Sequence, residues 1–475
     1  MKKVNYRKAI FCTMLMLIAG GVNAQFNISG EFRMRGEFRD GYLSLRDSSR
    51  TPYPTLLGRV RLLFDYKTEK ITTRFSLYDA FVFGQNYYSS DTITKNTVNV
   101  YEAWFKYNFT KTFAIKLGRM EVVYDDERLF GSSNWSMWGA THDIVIAQVE
   151  APGITNRTDL AFAINNVAPS PIYLNSYNMR NNYKYMTYLY EQKKFFNETL
   201  TISLIGVMDA FQKYSKSTVT GYDTLFVRDA NDSIIGTTTI PITGTKDFPD
   251  ILYARGTVGA GALLTLKKWG FFLNGFYQFG HIRDGRKLSS NFYTAWVSYQ
   301  VVKALKLQVG YEHLSGNNYS NMTGMKTQVK GFSTLYGTSH RGYGYMDMFN
   351  SLVKDNLSPG LNDLYLRANI IFTDKMSLEA TYRWFSLPYG YLSTKPSESN
   401  PLPYTEVKKS LGSEIDLMYI YRPIPNLEFN AAYCFFLQSE TMEVYTGIQP
   451  GKSKFAQYAY LMITYKPNFF STEKK

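Results

Sequence analysis

The densest run of reactive side chains lies between Lys116 and Asp143. Lys116-Leu117-Gly118-Arg119 leads into Tyr124-Asp125-Asp126-Glu127-Arg128, with Trp135 and His142-Asp143 beyond. Three adjacent carboxylates offer the oxygen ligands that hard divalent cations take, and a His beside an Asp is a pairing used in general acid–base chemistry. A simpler reading competes with both. On an extended chain His142 and Asp143 point to opposite faces, and the acidic run is placed to satisfy nearby arginines where a strand enters its loop. The chain has His 4 and Cys 2, so histidine catalysis has little material, and no Ser or Cys stands in a motif that joins it to a base. An enzyme is therefore not expected, nor a metal site or cofactor.

The other reservoir of chemistry is arginine in strict alternation. From Phe26, the apolar set Phe26, Ile28, Phe32, Met34 and Phe38 alternates with Glu31, Arg33, Arg35, Glu37 and Arg39. Period two is the signature of a strand whose two faces meet different media. The same alternation assigns Arg33, Arg35, Arg59, Arg61, Arg74, Lys106, Arg119, Lys306, Arg367 and Arg383 to a common polar face. Glu31, Glu37, Asp65, Glu102, Glu312, Glu379, Glu414 and Asp416 join them. Guanidinium forks bind carboxylates in bidentate fashion, and rings of charge set ion selectivity. A lattice of salt bridges that keeps the wall rigid and wet uses the same residues.

About eighteen segments carry this pattern, and their connections sort by size. Short turns such as 67–70, 110–112, 197–199, 267–269 and 373–375 alternate with long ones at 40–54, 84–97, 124–142, 166–182, 211–252, 315–361, 386–410 and 437–455. A soluble sandwich has no reason to sort loops by parity. A transmembrane antiparallel barrel does, with short periplasmic turns and long extracellular loops. The fold class expected is all-β, a membrane barrel of about 18 strands. Composition agrees: Tyr 39, Phe 33 and Trp 6 make the chain 16% aromatic, and aromatic residues collect at strand ends as in membrane girdles. Disordered chains lack such residues, and no apolar run beyond the N-terminus approaches the roughly 20 residues of a membrane helix.

Residues 1–24 read as a signal peptide: Lys2, Lys3, Arg7 and Lys8, then an apolar core from Ala9 to Ala19, then Val22-Asn23-Ala24. Removing it leaves 49 basic against 39 acidic residues and Cys434 as the single cysteine, so residues 25–475 form one basic domain without an internal disulfide. A Gram-negative outer membrane is the expected location. Eighteen strands enclose a lumen that side chains alone cannot fill. Whether 211–252 and 315–361 fold into it or project outward stays open at this level.

The motifs also carry a resemblance. Leu117-Gly118-Arg119, Tyr124-Asp125-Asp126-Glu127-Arg128, Trp135 and His142-Asp143 resemble the alginate-export family of outer-membrane proteins, in its Bacteroidetes-type branch. Leu335-Tyr336-Gly337-Thr338, Gly344-Tyr345-Met346-Asp347, Gly360-Leu361-Asn362-Asp363 and Leu411-Gly412-Ser413-Glu414 extend the likeness over nearly the whole chain. The resemblance implies an eighteen-stranded barrel with an electropositive constriction for an anionic polysaccharide. It makes Arg119 a pore cation and Asp125, Asp126 and Arg128 a cluster at a loop base. Trp138-Gly139-Ala140 stands where relatives carry Gln-Gly-Arg, so one guanidinium of that pattern is absent.

The expected function is a monomeric, arginine-lined channel for an anionic, alginate-like polysaccharide or anionic oligosaccharides. The alternative is an uptake porin for anions or sugars. Besides the solute and membrane lipid, partners are limited to periplasmic secretion components that would energise directed export. Basic residues dispersed singly over strand faces do not suit nucleic acid.

Overall fold

Alternate β-branched and aromatic residues favour a pleated surface, and in hydrocarbon such a surface persists only if no edge is left unpaired. The computed structural model describes residues 24–84, 98–165, 182–228, 234–319, 327–340, 342–393 and 405–472. The expected signal peptide, apart from Ala24, lies outside the described residues. Eighteen strands among them form the wall. They are β1 (Gln25–Asp40), β2 (Tyr53–Lys67), β3 (Ile71–Val82), β4 (Asn99–Asn108), β5 (Phe113–Met120), β6 (His142–Ala151), β7 (Thr155–Ile164), β8 (Tyr185–Phe195) and β9 (Leu200–Arg228). There follow β10 (Ile234–Leu266), β11 (Trp269–His281), β12 (Lys287–Val302), β13 (Leu305–Leu314), β14 (Leu361–Thr373), β15 (Met376–Ser386), β16 (Ser410–Ile424), β17 (Leu427–Gln438) and β18 (Ala456–Tyr465). Sequential neighbours pair antiparallel, and β18 returns to β1 with Tyr465 opposite Phe32 and Gln457 opposite Asp40, closing the barrel. Asn468–Ser471 continues that seam along the start of β1.

The two faces separate as the alternation predicts. On β7, Leu160 and Phe162 are more than half exposed, whereas Asp159 and Ala161 between and beside them are buried. Leu189, Leu273, Val309, Leu366 and Leu417 stand outward at mid-strand, and Tyr277, Tyr293, Tyr382 and Trp384 stand outward near the long-loop end. Trp269, Phe372 and Tyr465 do so near the short-turn end. This is an apolar band between two aromatic girdles.

One expected loop is strand. In 211–252, β9 and β10 continue to pair with each other up to Arg228 opposite Ile234. Their outer neighbours stop earlier, β8 at Ala210 and β11 at Arg255. The hairpin therefore outgrows the wall. Two other long connections on that side, L3 (121–141) and the described residues of L7 (315–360), do the opposite and turn inward. Phe130, Leu314, Phe332, Met346, Phe349, Val353, Phe385 and Phe436 are almost inaccessible and belong to one cluster, so the hydrophobic core sits inside the barrel. The loop after β17 adds a short helix, α1 (Glu440–Tyr445), whose N-cap Ser439 accepts from Met442 N, with Met442 buried beneath it.

Leu366→Arg puts a charge on the lipid face at mid-strand, where the cost is about 2–4 kcal/mol. Urea unfolding of bilayer-reconstituted protein is expected to register that loss, while Ser377→Arg on the inner face costs markedly less.

Candidate pore constriction

L3 leaves β5 and crosses the lumen, held at each step by polar side chains of the wall. Tyr124 Oη donates to Asp159 Oδ2 on β7 at 2.6 Å, and Tyr190 Oη on β8 donates to Asp125 Oδ1 at 2.8 Å. Arg128 Nη2 lies 2.7 Å from Glu312 Oε2 on β13, and its Nε 3.2 Å from Asp126 Oδ2. Asp125 and Glu127 adopt positive φ, 46° and 63°, which turns successive side chains to different walls. The expected loop-base cluster is therefore dispersed: Asp125 faces β8, Asp126 meets Asn274 of β11, and Arg128 faces β13. Asp126 is pushed up from the ordinary aspartate range by lost hydration; Arg128 opposes this and Asp125 adds to it.

L3 then runs beside L7. Tyr336 N donates to Leu129 O at 3.0 Å, Gly131 N to Tyr336 O at 3.2 Å and Thr338 N to Glu127 O at 2.9 Å. Gly337 permits this approach, because a Cβ there would lie 2.2 Å from Arg128 O. L7 is in turn gripped by the opposite wall. Met346 N donates to Glu414 Oε1 at 2.8 Å and Tyr345 N to Asp416 Oδ1 at 3.4 Å. Gly344, with φ +90°, brings the backbone against the Glu414 carboxylate, where a Cβ would collide. Arg383 Nη1 donates to Gly342 O at 3.0 Å and pairs with Asp363.

The four arginines of β1 and β2 meet the far end of L3. In the register Arg33 stands opposite Arg59 and Glu31 opposite Arg61. Two guanidinium groups face each other there, with Glu31 between them, 2.8 Å from Arg59 Nε and 3.6 Å from Arg33 Nη2. Arg33 Nη1 donates to Asn134 O, Arg35 Nη1 to Trp135 O and Arg59 Nη1 to Ser136 O, at 2.5, 2.8 and 3.0 Å. Arg61 lies 3.8 Å over the Tyr101 ring and 3.4 Å from Asn134 Oδ1. These four side chains were expected to line open water. They face the lumen but are sealed beneath loop carbonyls.

The remaining expectations divide. Arg74 is on the inner wall, 2.7 Å from Asp65 and 3.5 Å from Glu102, with its side chain 36% exposed. Lys106 is also inward, 4.0 Å from Glu150. Arg367 lies 3.5 Å from Glu379 on the inner wall. Glu414 and Asp416 are buried under L7 and do not reach open lumen. Arg119 is a correction: it lies on the outer face, bidentate to Asp143 at 2.8 Å through both oxygens. Its strand explains why. Phe113, Ile115 and Leu117 share Arg119's parity and face lipid, so the cation facing inward is Lys116. His142 is buried inward while Asp143 points outward, and Tyr183 Oη lies 3.0 Å from His142 Nδ1.

Sequence reasoning passed over two water-reachable cations. Lys116 Nζ stands 3.9 Å over Trp104, and Arg157 pairs with Asp159 at 2.6 Å with its side chain 37% exposed. Strand parity alone would have found both. Together with Arg74 and Lys106 they line the inner wall toward the short-turn mouth. Arg255, bidentate to Asp209 at 3.0 and 2.6 Å and bonded to Asn356 of L7, is a further buried cation that was missed.

Arg128→Ala leaves Glu312 buried without its counter-ion, a change that costs about 3–5 kcal/mol when a buried pair is broken from one side. Earlier unfolding, together with new protease cleavage in L3, is expected. Because the docked loop holds the Asp126 proton more tightly than a free aspartate does, the contribution of Asp126 to docking is fullest below about pH 4 and is lost as pH rises through the raised value. L3 proteolysis should increase over that interval in the wild type and respond less in Asp126→Asn.

A family model described as alginate export matches residues 24–443. No curated protein matches. Among solved structures, OccK1 (OpdK) of Pseudomonas aeruginosa is similar at 12% identity and TM-score 0.56, over 94% of this chain and 100% of that one. OccK2 (OpdF) of the same organism, solved with glucuronate, is similar at 11% identity and TM-score 0.55, over 94% and 98%. A BenF-like porin of Pseudomonas fluorescens Pf-5 is similar at 10% identity and TM-score 0.55, over 94% and 99%. At such identities the likeness speaks for the fold, and the family match, running from the first strand into the loop beyond β17, speaks for descent: this outer-membrane β-barrel belongs to the alginate export family.

Proposed function

We propose that the protein is a passive conduit for an anionic glycan, alginate-like in carrying carboxylates on its rings. The observation that supports this best is the set of water-reachable cations, Arg74, Lys106, Lys116 and Arg157, on the inner wall toward the periplasmic mouth. Lys supplies mobile point charges and Arg rigid forks, so a carboxylated chain is attracted without being held in one pose. Further along the wall stands the β1–β2 ladder. Its guanidinium groups share the carboxylates of Glu31 and Glu37 and give further donors to neutral carbonyls of L3, for which a carboxylate is the stronger acceptor. On this reading an arriving polyanion exchanges with L3 at Arg33 and Arg35, and L3 yields to passage.

An uptake porin is the second reading. It draws support from the porin-like neighbours, one of them solved with the sugar acid glucuronate. A passive pore has no inherent direction, but cations concentrated at the periplasmic mouth favour capture from that side.

Planar-bilayer recording under a salt gradient tests the proposal. The reversal potential should indicate anion preference, and uronate oligomers on the periplasmic side should block current. Lys116→Ala with Arg74→Ala should weaken that block roughly tenfold, as expected for lost steering and pairing charges. Arg119→Ala, on the outer face, should leave it unchanged. Cation preference without uronate block would reject the reading.

A further inference from the structure

The lumen contains a second hollow of different chemistry. Where L3 and L7 cross, against β14, β15 and β16, lies a cavity of about 530 Å³, within the range of roughly 300–1,000 Å³ typical of small-molecule sites. Its polar lining includes Glu127, Asn134, Thr338, His340, Asn369 and Glu379, and no described lysine or arginine lines it.

The orientation of His340 defines what the cavity asks for. The residue is 6% exposed, and its Nδ1 lies 2.8 Å from Asp347 Oδ2, which also accepts from Tyr42 Oη at 2.6 Å. A carboxylate accepts, so Nδ1 carries a proton, and in the neutral tautomer Nε2 is left as an acceptor. Nε2 is buried and no donor among the described residues reaches it. The ring cannot turn away, because it is stacked on Trp135 with centroids 3.5 Å apart. Arg35 lies 3.8 Å from the same indole centroid, so both faces of Trp135 are taken and no stacking platform remains for a ligand.

The other polar groups of the lining agree, set among the apolar side chains of Ile370, Ile371, Leu378, Met418 and Ile420. Glu127 Oε2 is held by Thr338 Oγ1 at 2.7 Å and Ser132 N at 3.2 Å, and Glu379 stands 3.5 Å from Arg367. Carboxylates and a histidine lone pair repel an anion and receive hydroxyl hydrogens. They do not converge as a metal site, for no group of three such ligands forms one among the described residues. Asn134 belongs to both regions: its backbone oxygen and side-chain oxygen take Arg33, Arg59 and Arg61, while the residue borders the cavity.

We propose that this cavity is a subsite for the hydroxyl edge of a glycan ring, with His340 Nε2 and Glu127 as its acceptors. The inference rests on the reading of the lumen as a glycan path and narrows the cargo. The polymer carries free hydroxyls as well as carboxylates, and a polyanion without hydroxyls, such as a polyphosphate, is not retained here.

Full-length protein in lipid nanodiscs, titrated with neutral mannose oligomers and observed by saturation-transfer NMR, tests the proposal. The wild type should bind. Ser377→Phe, which fills the cavity from β15, should weaken binding roughly tenfold, the scale of a few lost hydrogen bonds. His340→Phe, which keeps a ring against Trp135 but removes the acceptor, should do the same. Uronate block in bilayers should persist in Ser377→Phe. Absence of neutral-oligomer binding to the wild type, or binding unchanged in Ser377→Phe, overturns the subsite. Neutral binding lost in Ser377→Phe while uronates fail to block even the wild type would support the subsite and defeat the anion reading alone.

Discussion

Hydrocarbon offers no partner to a peptide group, so the backbone must satisfy itself by closing the wall. The pairing of β18 with β1 meets that demand, and the rest of the architecture depends on it. Once the sheet is a cylinder, every strand has one face committed to lipid. Whatever polar chemistry the sequence carries is then forced onto the other. The lumen becomes the only place where guanidinium and carboxylate groups can be concentrated, and the same closure gives L3 and L7 a bounded space to fold into.

Inside that space the charges are arranged less as a lining than as a set of clamps. Arg33, Arg35 and Arg59 hold L3 by its carbonyls, and Glu414 and Asp416 hold L7 by its amides. The β1–β2 stretch of the wall thus donates and β16, three strands from β1, accepts, so each loop is gripped in the sense its backbone permits. Buried ion pairs of this kind are weak evidence for stability, because desolvation offsets much of their attraction. Their contribution here is positional: Arg128 with Glu312 anchors L3 to β13, and Arg383, paired with Asp363, anchors L7 through Gly342 O.

The wall was legible in the sequence because alternation is a local property and a one-residue error inverts a whole strand. That same rule exposes the one misplaced pore cation. Arg119 was counted with the inward set by alternation and again by resemblance, although Phe113, Ile115 and Leu117 assign its parity to lipid and Lys116 to the lumen. Arg74 and Arg383 were read from parity and lie on the inner wall. The course of L7 was not legible. Its glycines and aromatics carry no period, and its direction is decided by distant partners on β11, β15 and β16, such as Gln278, Arg383 and Glu414. Length gave no guidance either: 315–360 turns inward, whereas 211–252 extends the β9–β10 hairpin. The arginines of β1 and β2 were assigned the correct face, but their covering by residues 134–137 is a tertiary fact with no local signature.

The wedging of L7 against late strands bears on biogenesis. Phe349 rests on Phe385 of β15 at 4.5 Å and near Phe436 of β17 at 6.1 Å, both of which follow it in the chain, and the last strand completes the ring only by returning to the first. L7 therefore completes this packing only once β15 and β17 are in place.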